Sequence, residues 1–415
     1  MLSTRRARVV YTLLFVLGNM CLAFSYGITG PTLIDFAEIY GVEIDEVSEL
    51  YVSRSAGNLI GSILESFAVN DRNSRRVLVG ALFIEGITTT LYPISKYLWA
   101  AHITSFFNGL VLALFEAGSY VAIANLWENP NFPLQLHMLG YGFAVFVVPF
   151  ISEPFLSKSN PLDAGKLQQA SVSRIYIPHA GIGALCVILG IALAITTAWV
   201  PYPPKPTIAE KTDADTSPKK RDKVFETTLV ILLAVMSLFC VSLEMTFTGM
   251  ISSFVIRSDL HLTKSDGAYL GGAFRATFFV GRIIILILHN LPLTLVIVFN
   301  LVSALVSSLI FVFFVLSSPY VVWVVNAGLG LGLCAIFGTD IAWVCQYVTL
   351  KHWHMAASMI GVCIANSSPA FIAAPWIDSY PMILPYVTLA LSTILCITFA
   401  LMLFVVRGRE KLGSK

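Results

Sequence analysis

Apolar residues fill most of the chain in long runs, and polar residues are confined to the short segments between them. The runs Val77–Ile84, Val187–Ile195, Leu229–Val241 and Leu295–Leu316 lack the alternation of polar and apolar positions that barrel strands show. A helix rises 1.5 Å per residue and needs about 20 apolar residues to cross the hydrocarbon core of a bilayer. The pattern therefore predicts membrane-spanning helices.

Twelve such runs follow one another along the chain. We predict spans at 8–32, 47–69, 76–95, 99–127, 134–156, 174–200, 224–256, 264–289, 291–315, 319–347, 354–376 and 382–407. The mean hydropathy is +0.80. Charged residues make up 12% of the chain, against about 25% in soluble domains. The predicted fold class is an all-α polytopic membrane protein with twelve transmembrane helices in two six-helix bundles.

The only long polar segment divides these spans six and six. It runs from Pro201 to Lys223 and contains five prolines, which indicates a flexible tether rather than a folded domain. We therefore predict an N-terminal bundle at 1–200, a cytoplasmic linker at 201–223 and a C-terminal bundle at 224–415. Residues 25–51 and 244–270 resemble each other weakly, as expected of transporters built from repeats with a binding site between them.

Basic residues are distributed unevenly between the two sides of the predicted bundle. If both termini are inside, the inner segments hold 17 Lys and Arg residues and the outer segments hold six. By the positive-inside rule, both termini are predicted to be cytoplasmic. We expect a multi-pass protein of the plasma membrane that functions as a monomer and binds no nucleic acid.

Several ionisable residues lie inside predicted spans, where a charge costs about 2.5–3.5 kcal/mol on insertion scales. They are Arg54, Glu85, Glu116, Glu244, Arg275 and Asp340. Such residues usually face the bundle interior or an aqueous cavity, so they are the first candidates for substrate or ion binding.

Glu116 and Glu244 are the strongest candidates for binding a cation or a sugar hydroxyl. Glu116 stands beside Gly118 and Ser119, and Glu244 stands among Ser242, Thr246 and Thr248. Oxygen-rich surroundings suit a hard cation such as Na⁺. The alternative is structural: Glu116 would pair with Arg54 or be capped by neighbouring hydroxyls, and Glu244 would neutralise Arg275.

The other ionisable residues have weaker signals. Arg54 and Arg275 are predicted either to neutralise a carboxylate and fix helix register or to contact the substrate. Asp340 could be a second ion-linked carboxylate, and Glu85 is interpreted as structural because no signal surrounds it.

An aromatic ring and two amides form a candidate sugar site near the end of the chain. Trp343, Gln346 and Asn366 offer a ring for a sugar C–H face and amides for its hydroxyls. Gly328, Gly330 and Gly332 follow no strand, so we predict tight helix packing there rather than phosphate binding.

Two sets of motifs resemble a known family. Asp71, Arg72, Arg75 and Arg76 resemble the D-R-x-G-R-R loop of the major facilitator superfamily, with Ser74 in place of the glycine, and Gly281-Arg282 resembles its second-half counterpart. The blocks at 30–62, 136–156, 239–270 and 339–348 are similar to the sodium-dependent glucose transporter group of that superfamily and, more distantly, to fucose permeases.

The resemblance implies the major facilitator fold, gating by Asp71, Arg72, Arg75 and Arg76, and cation-linked uptake of a hexose. In fucose permeases an acidic residue of the fourth helix contributes to sugar binding and proton coupling, and Glu116 falls at that place. Sodium-coupled relatives tend to have Asp there, so the resemblance leaves Na⁺ and H⁺ both open as the coupling ion.

The leading hypothesis is therefore a secondary active transporter that takes up glucose or a similar hexose with Na⁺ by alternating access. Neutralisation of a carboxylate by the ion would permit occlusion. The alternatives are a proton-coupled or uncoupled carrier of another small polar solute, and a membrane receptor or scaffold that does not transport. No enzymatic activity and no bound cofactor or metal are expected, apart from a transported ion held by Glu116 and Glu244.

Overall fold

The computed structural model describes most of the 415 residues. The described residues are 4–42, 44–70, 73–95, 97–156, 174–203, 220–260, 262, 264–366, 368, 372–377, 379–409 and 411. All regular secondary structure within these ranges is helical, which confirms the predicted all-α class.

Fifteen α-helices follow one another in the described part of the chain. They are α1 (Thr4–Ile28), α2 (Leu33–Tyr40), α3 (Ile44–Ala68), α4 (Ser74–Leu91), α5 (Leu98–Leu126), α6 (Asn131–Ser152), α7 (Tyr176–Trp199), α8 (Lys220–Arg257), α9 (Lys264–Ile287), α10 (Leu293–Phe314), α11 (Pro319–Leu333), α12 (Ile336–Val344), α13 (His352–Asn366), α14 (Ala374–Ile377) and α15 (Ile383–Val406). Each of the twelve predicted spans overlaps at least one of them.

Nine helical segments of the described residues are long and apolar enough to cross a membrane, with α11 and α12 counted as one. The three predicted spans outside this set differ from the others in charge content or in length. Helices α3 and α4 contain the buried ionisable residues Arg54, Glu65 and Glu85, and α13 has only 15 residues. A twelve-helix membrane fold is therefore consistent with the described helices.

Two features of the helices differ from the predicted spans. The loop after the first span contains the short helix α2, and Gly41, which follows the last helical residue Tyr40, is in the left-handed conformation. The tenth span breaks between α11 and α12, where Arg282 Nε donates to the Cys334 carbonyl at 2.9 Å. That carbonyl would accept from the Gly338 amide in a continuous helix, so the arginine bond favours the break.

One compact unit comprises Met1–Ser119 and Gly140–Pro203. Inside it, α7 packs against α4 and α1. Helices α3 and α5 approach so closely that a Cβ at Gly57 would overlap the Phe106 carbonyl, and one at Gly61 would overlap the Leu110 carbonyl. The Gly57–Gly61 spacing places both glycines on one helix face, which is the small-residue pattern of membrane helix contacts.

The second compact unit comprises Tyr120–Leu139 and Pro204–Lys415. Helix α8 packs against α9, α13 and α15, and α11 packs against α9 and α10. Added Cβ atoms at Gly328, Gly330 and Gly332 would collide with Ser307, Thr277 and Ala304 respectively. The prediction that these glycines serve tight helix packing is confirmed.

The predicted boundaries at residues 200 and 224 stay predictions. The carboxyl-terminal end of α5 and the beginning of α6 belong to the second unit, although both precede the predicted linker. Residues 204–219 of that linker lie outside the described residues.

Candidate substrate and ion sites

Arg54 lies inside the N-terminal unit and is bound by groups of α1 and its carboxyl end. The residue is 4% exposed, and its Nη2 donates to Thr29 Oγ1 at 2.8 Å. Its Nη1 donates to the Tyr26 carbonyl at 3.2 Å, and its guanidinium lies 5.4 Å from the centroid of the Tyr26 ring. Arg54 therefore joins α3 to α1, which fits the predicted role in helix register. A role in substrate contact stays a prediction.

A buried polar cluster surrounds Glu85 on α4, where the sequence indicated no site. Asn108 Nδ2 on α5 donates to Glu85 Oε1 at 2.6 Å and to Ser25 Oγ at 3.0 Å. Ser25 Oγ also lies 2.6 Å from Thr89 Oγ1. Arg54 is close enough to interact electrostatically with Glu85. The signal in the sequence was the presence of Ser25 and Asn108 inside neighbouring apolar runs.

Glu116 is half-buried on α5, at a level where α5 approaches α4. Ser119 Oγ donates to the Glu116 carbonyl at 3.0 Å. A Cβ at Gly118 would lie 3.0 Å from Leu78 Cδ2, so the small residue permits the close approach that the sequence indicated. Ion or sugar binding by Glu116 stays a prediction.

Glu244 is half-buried on α8, and the three hydroxyls predicted around it divide between two faces of the helix. Thr248 shares the face of Glu244 and donates to its carbonyl at 2.8 Å. Thr246 Oγ1 lies 3.0 Å from Ser368 Oγ, which in turn donates to the Ser242 carbonyl at 3.3 Å. Of the three hydroxyls that the sequence places around Glu244, therefore, only that of Thr248 shares its helix face.

Both arginines of α9 interact electrostatically with Glu244, and Arg282 does so more strongly than Arg275. Arg275 is exposed. Arg282 is buried, donates to the carbonyls of Cys334 and Met138, and lies over the Phe278 ring at 4.5 Å. Arg282, which in the sequence resembled the second-half counterpart of the gating motif, therefore joins α9 to α6 and to the end of α11 inside the second unit.

Asp340 on α12 lies deep inside the C-terminal unit and is 2% exposed. Its Oδ1 has no hydrogen-bond partner among the described residues. Asp340 and Glu244 both interact electrostatically with Cys240 of α8, so the two carboxylates lie in one region of this unit. Whether either residue binds an ion stays a prediction.

Two of the three residues of the candidate sugar site, Trp343 and Gln346, lie in different surroundings. Trp343 is fully buried, donates from Nε1 to Thr294 Oγ1 at 3.0 Å and packs on Tyr347 and Phe399. Gln346 instead lines a cavity of about 210 Å³. Asn366 is the last residue of α13, about 21 Å along the helix axis from His352. A shared sugar site stays a prediction.

The cavity beside Gln346 belongs to the C-terminal unit and has a polar lining. Its walls are Asn129, Asn131, Phe132, His289, Asn290, Leu291, Pro292, Leu293, Gln346 and Lys411. Asn131 Nδ2 donates to the His289 carbonyl at 2.8 Å, and this bond joins the start of α6 to the turn between α9 and α10.

The predicted gating residues lie partly outside the described chain. Asp71 and Arg72 are not among the described residues. Arg75 lies over the Tyr202 ring at 4.7 Å, and Tyr202 meets the Tyr11 ring edge-on at 5.1 Å. Arg76 is exposed. Arg75 thus connects the beginning of α4 to the segment after α7, and its part in gating stays a prediction.

Long apolar helices in two compact units, each with charged side chains buried among its own helices, define a polytopic membrane protein of the transporter type. The family model described as "Major Facilitator Superfamily" matches residues 15–375. The chain belongs to the major facilitator superfamily.

Several relatives found by sequence are named sodium-dependent glucose transporters. The chain is 25% identical over 375 residues to mouse "Sodium-dependent glucose transporter 1A", with 85% of this chain and 86% of that protein covered. It is 23% identical over 375 residues to the human "Sodium-dependent glucose transporter 1", with 85% and 70% covered. The Xenopus laevis protein of the same name is 23% identical over 399 residues, with 90% and 78% covered.

Solved structures share the fold at low sequence identity. The E. coli fucose:proton symporter FucP superposes with a TM-score of 0.76 at 12% identity, covering 96% of this chain and 99% of that chain. The proton:xylose symporter XylE bound to 6-bromo-6-deoxy-D-glucose has a TM-score of 0.70 at 10% identity, covering 98% and 97%. The predicted major facilitator fold is confirmed.

Proposed function

We propose that this protein is a secondary active transporter that takes up glucose or a similar hexose together with Na⁺ by alternating access. The observation that carries the proposal is the similarity over 85% of the chain to proteins named sodium-dependent glucose transporters. The name of these relatives supports the class of substrate and the coupling ion. The structure supplies the residues to be tested.

Glu116 and Glu244 are the coupling residues in this proposal. Each is half-buried inside a long membrane helix, and they belong to different compact units. An ionised carboxylate at membrane depth is costly, so a cation that binds to it lowers the free energy of the occluded state. The same reasoning applies to a proton, which keeps the proton-coupled alternative open.

Uptake of labelled glucose into proteoliposomes tests the proposal. We expect accumulation driven by an inward Na⁺ gradient and lost when choline replaces Na⁺. Uptake that does not depend on the Na⁺ gradient but stops when a protonophore collapses the proton gradient would establish the proton-coupled alternative. Uptake that never exceeds equilibrium would indicate an uncoupled carrier, and ligand binding without counterflow would indicate a receptor.

Two isosteric variants assign the coupling residues. Glu116→Gln and Glu244→Gln are expected to lose Na⁺-driven accumulation and to retain exchange of glucose between the two sides, because the neutral amide mimics the ion-bound carboxylate. Glu153→Gln serves as the matched control, since Glu153 is exposed at the end of α6. Full accumulation by both variants would remove these residues from the mechanism.

We also propose that both termini are cytoplasmic, that the protein resides in the plasma membrane and that it works as a monomer without a cofactor or enzymatic activity. The orientation is supported by the 17 basic residues of the inner segments against six in the outer segments. Tags at either end should bind antibody only after the cells are permeabilised.

A further inference from the structure

Glu85 is an acid inside the N-terminal unit that the proposed mechanism does not use. It lies on α4, 11 residues after the helix begins at Ser74, and is 1% exposed. Its Oε2 has no hydrogen bond of good geometry among the described residues, although the Ser25 and Thr89 hydroxyls lie near the carboxyl group and interact with it. A buried ionised carboxylate with an unpaired oxygen is costly in a low-dielectric interior. Taking up a proton removes the charge and supplies a hydrogen-bond donor.

The contact between Glu85 and Asn108 suits either protonation state. The two side-chain atoms lie 2.6 Å apart, which is short for an N–H···O bond and typical of an O–H···O bond. The oxygen and the NH2 group of an asparagine side chain have nearly the same size, so the amide can be turned over in the same space. With its nitrogen toward Glu85, Asn108 donates to a carboxylate; with its oxygen there, it accepts from a carboxylic acid.

The hydroxyls beyond Asn108 can follow this reversal. Ser25 Oγ lies 3.0 Å from the same end of the amide and 2.6 Å from Thr89 Oγ1. A hydroxyl both donates and accepts and can rotate. When the Asn108 nitrogen faces this cluster, it donates to Ser25 Oγ, and the Ser25 hydroxyl donates to Thr89 Oγ1. When the Asn108 oxygen faces it, the Ser25 hydroxyl donates to that oxygen and the Thr89 hydroxyl donates to Ser25 Oγ. The chain of bonds stays intact in both states.

Few other titratable or charged groups of the described residues act on this cluster. Arg54 of α3 is a buried cation that interacts electrostatically with Glu85. Cys186 of α7 also interacts electrostatically with Glu85, and it packs in one buried cluster with Cys21 of α1. His179 of α7 and Tyr92, the residue after α4, interact with Arg54 instead. The charge of the cluster is therefore set by Arg54 and Glu85.

We propose that Glu85 is a proton-binding site of the N-terminal unit, with Asn108 as the residue that pairs with both of its protonation states. One proton adds to the carboxylate at Oε1, the acid then donates to the Asn108 side-chain oxygen, and the proton leaves by the reverse step. Binding changes the charge of the cluster by one unit and leaves the Arg54 cation uncompensated. The coupling of this step to hexose movement rests on the proposed function; the proton site itself does not.

Infrared difference spectroscopy of the purified full-length protein tests the site without any transport assay. The difference between wild type and Glu85→Gln isolates the Glu85 group across a pH titration. We expect a carbonyl stretching band of a protonated carboxyl at low pH that is replaced by carboxylate bands at higher pH. In Asn108→Leu the band should persist and move to higher frequency, because the acid loses its hydrogen-bond partner.

Three results would overturn the assignment. Glu85 could show carboxylate bands at every pH at which the protein is folded. The protonated band could persist at every such pH, which would make Glu85 a permanently neutral core residue. Alternatively, the band could be displaced by NaCl and not by choline chloride, which would make the site a Na⁺ site. Glu153→Gln should remove only the signal of an exposed carboxyl.

A transport measurement then separates this inference from the proposed function. Glucose uptake by wild-type proteoliposomes should change with pH, and that change should be lost in Glu85→Gln and kept in Glu153→Gln. If the wild type takes up no hexose, the proposed function fails while the infrared result stands. If the wild type transports hexose and Glu85→Gln keeps the full pH response, the role of the proton site in transport fails.

Discussion

Arg54 donates a hydrogen bond from Nη2 to Thr29 Oγ1 at 2.8 Å, and this bond joins α3 to the residue that follows α1. The guanidinium also binds the Tyr26 carbonyl. Since the group is buried, its bonds to these neutral oxygens stabilise the charge inside the unit.

Breaking this bond should destabilise the N-terminal unit. We expect Arg54→Gln to lower stability by about 1.5–3 kcal/mol, the range for a hydrogen bond to a charged group, measured by thermal unfolding in detergent. Thr29→Val should act in the same direction, and the double variant should cost less than the sum of the two, because both remove one bond. Arg174→Gln, at an exposed position, is the control. Strict additivity of the two variants would contradict the pairing.

The contact between α3 and α5 depends on Gly57. An alanine there would overlap the backbone carbonyl of Phe106, which cannot move without shifting α5. We expect Gly57→Ala to lower stability by about 1–3 kcal/mol or more, as overpacking does, and to reduce the yield of monodisperse protein. Gly80→Ala is a matched control in α4, because a Cβ at Gly80 meets nothing within 4 Å. Equal yields and melting temperatures for the two variants would contradict the close approach.

An ion pair joins α8 to the beginning of α13. Lys351 Nζ lies 2.5 Å from Glu226 Oε1, and His354 Nε2 lies 3.0 Å from the same oxygen. Because the Lys351 side chain is 53% exposed, the pair is screened by solvent. We expect Glu226→Gln to cost about 0.5–1 kcal/mol, with the difference shrinking as NaCl is raised toward 1 M.

A double-mutant cycle with Lys351→Gln isolates the direct pair from the contribution of His354. A coupling energy of zero at low salt would show that the helices are joined there by packing alone. A coupling energy that is independent of salt would also contradict the exposed ion pair.

Much of the fold could be predicted because hydropathy and small-residue patterns are local properties of the sequence. The twelve apolar runs and the packing role of Gly328, Gly330 and Gly332 are of this kind. The break between α11 and α12 could not be predicted, because it accompanies a bond from Arg282 to a carbonyl 52 residues away. Nothing in the local sequence indicates which carbonyl a distant arginine binds.

The candidate sites were predictable as a set of residues, since a charge inside an apolar run is conspicuous. Their partners were not. Arg54 was one expected partner of Glu116, whereas the structure shows it bound to Thr29 and Tyr26 and close to Glu85. The neighbours of Glu85 come from α1 and α5, so the cluster becomes visible only when these helices are packed together.

Substitutions of Trp343 distinguish the predicted sugar contact from a role in helix packing. Its indole is fully buried and donates to Thr294 Oγ1. We expect Trp343→Phe to cost about 1 kcal/mol through the lost hydrogen bond, and Trp343→Ala about 3–5 kcal/mol through the cavity it leaves, both measured by thermal unfolding. Folded Trp343→Phe protein should keep the KM for hexose, because a buried ring cannot stack on a sugar. Trp376→Phe, at an exposed tryptophan, is the control. A large rise in KM for Trp343→Phe without loss of stability would instead assign Trp343 to the sugar site, because only a ring that touches the substrate changes binding while leaving the fold intact.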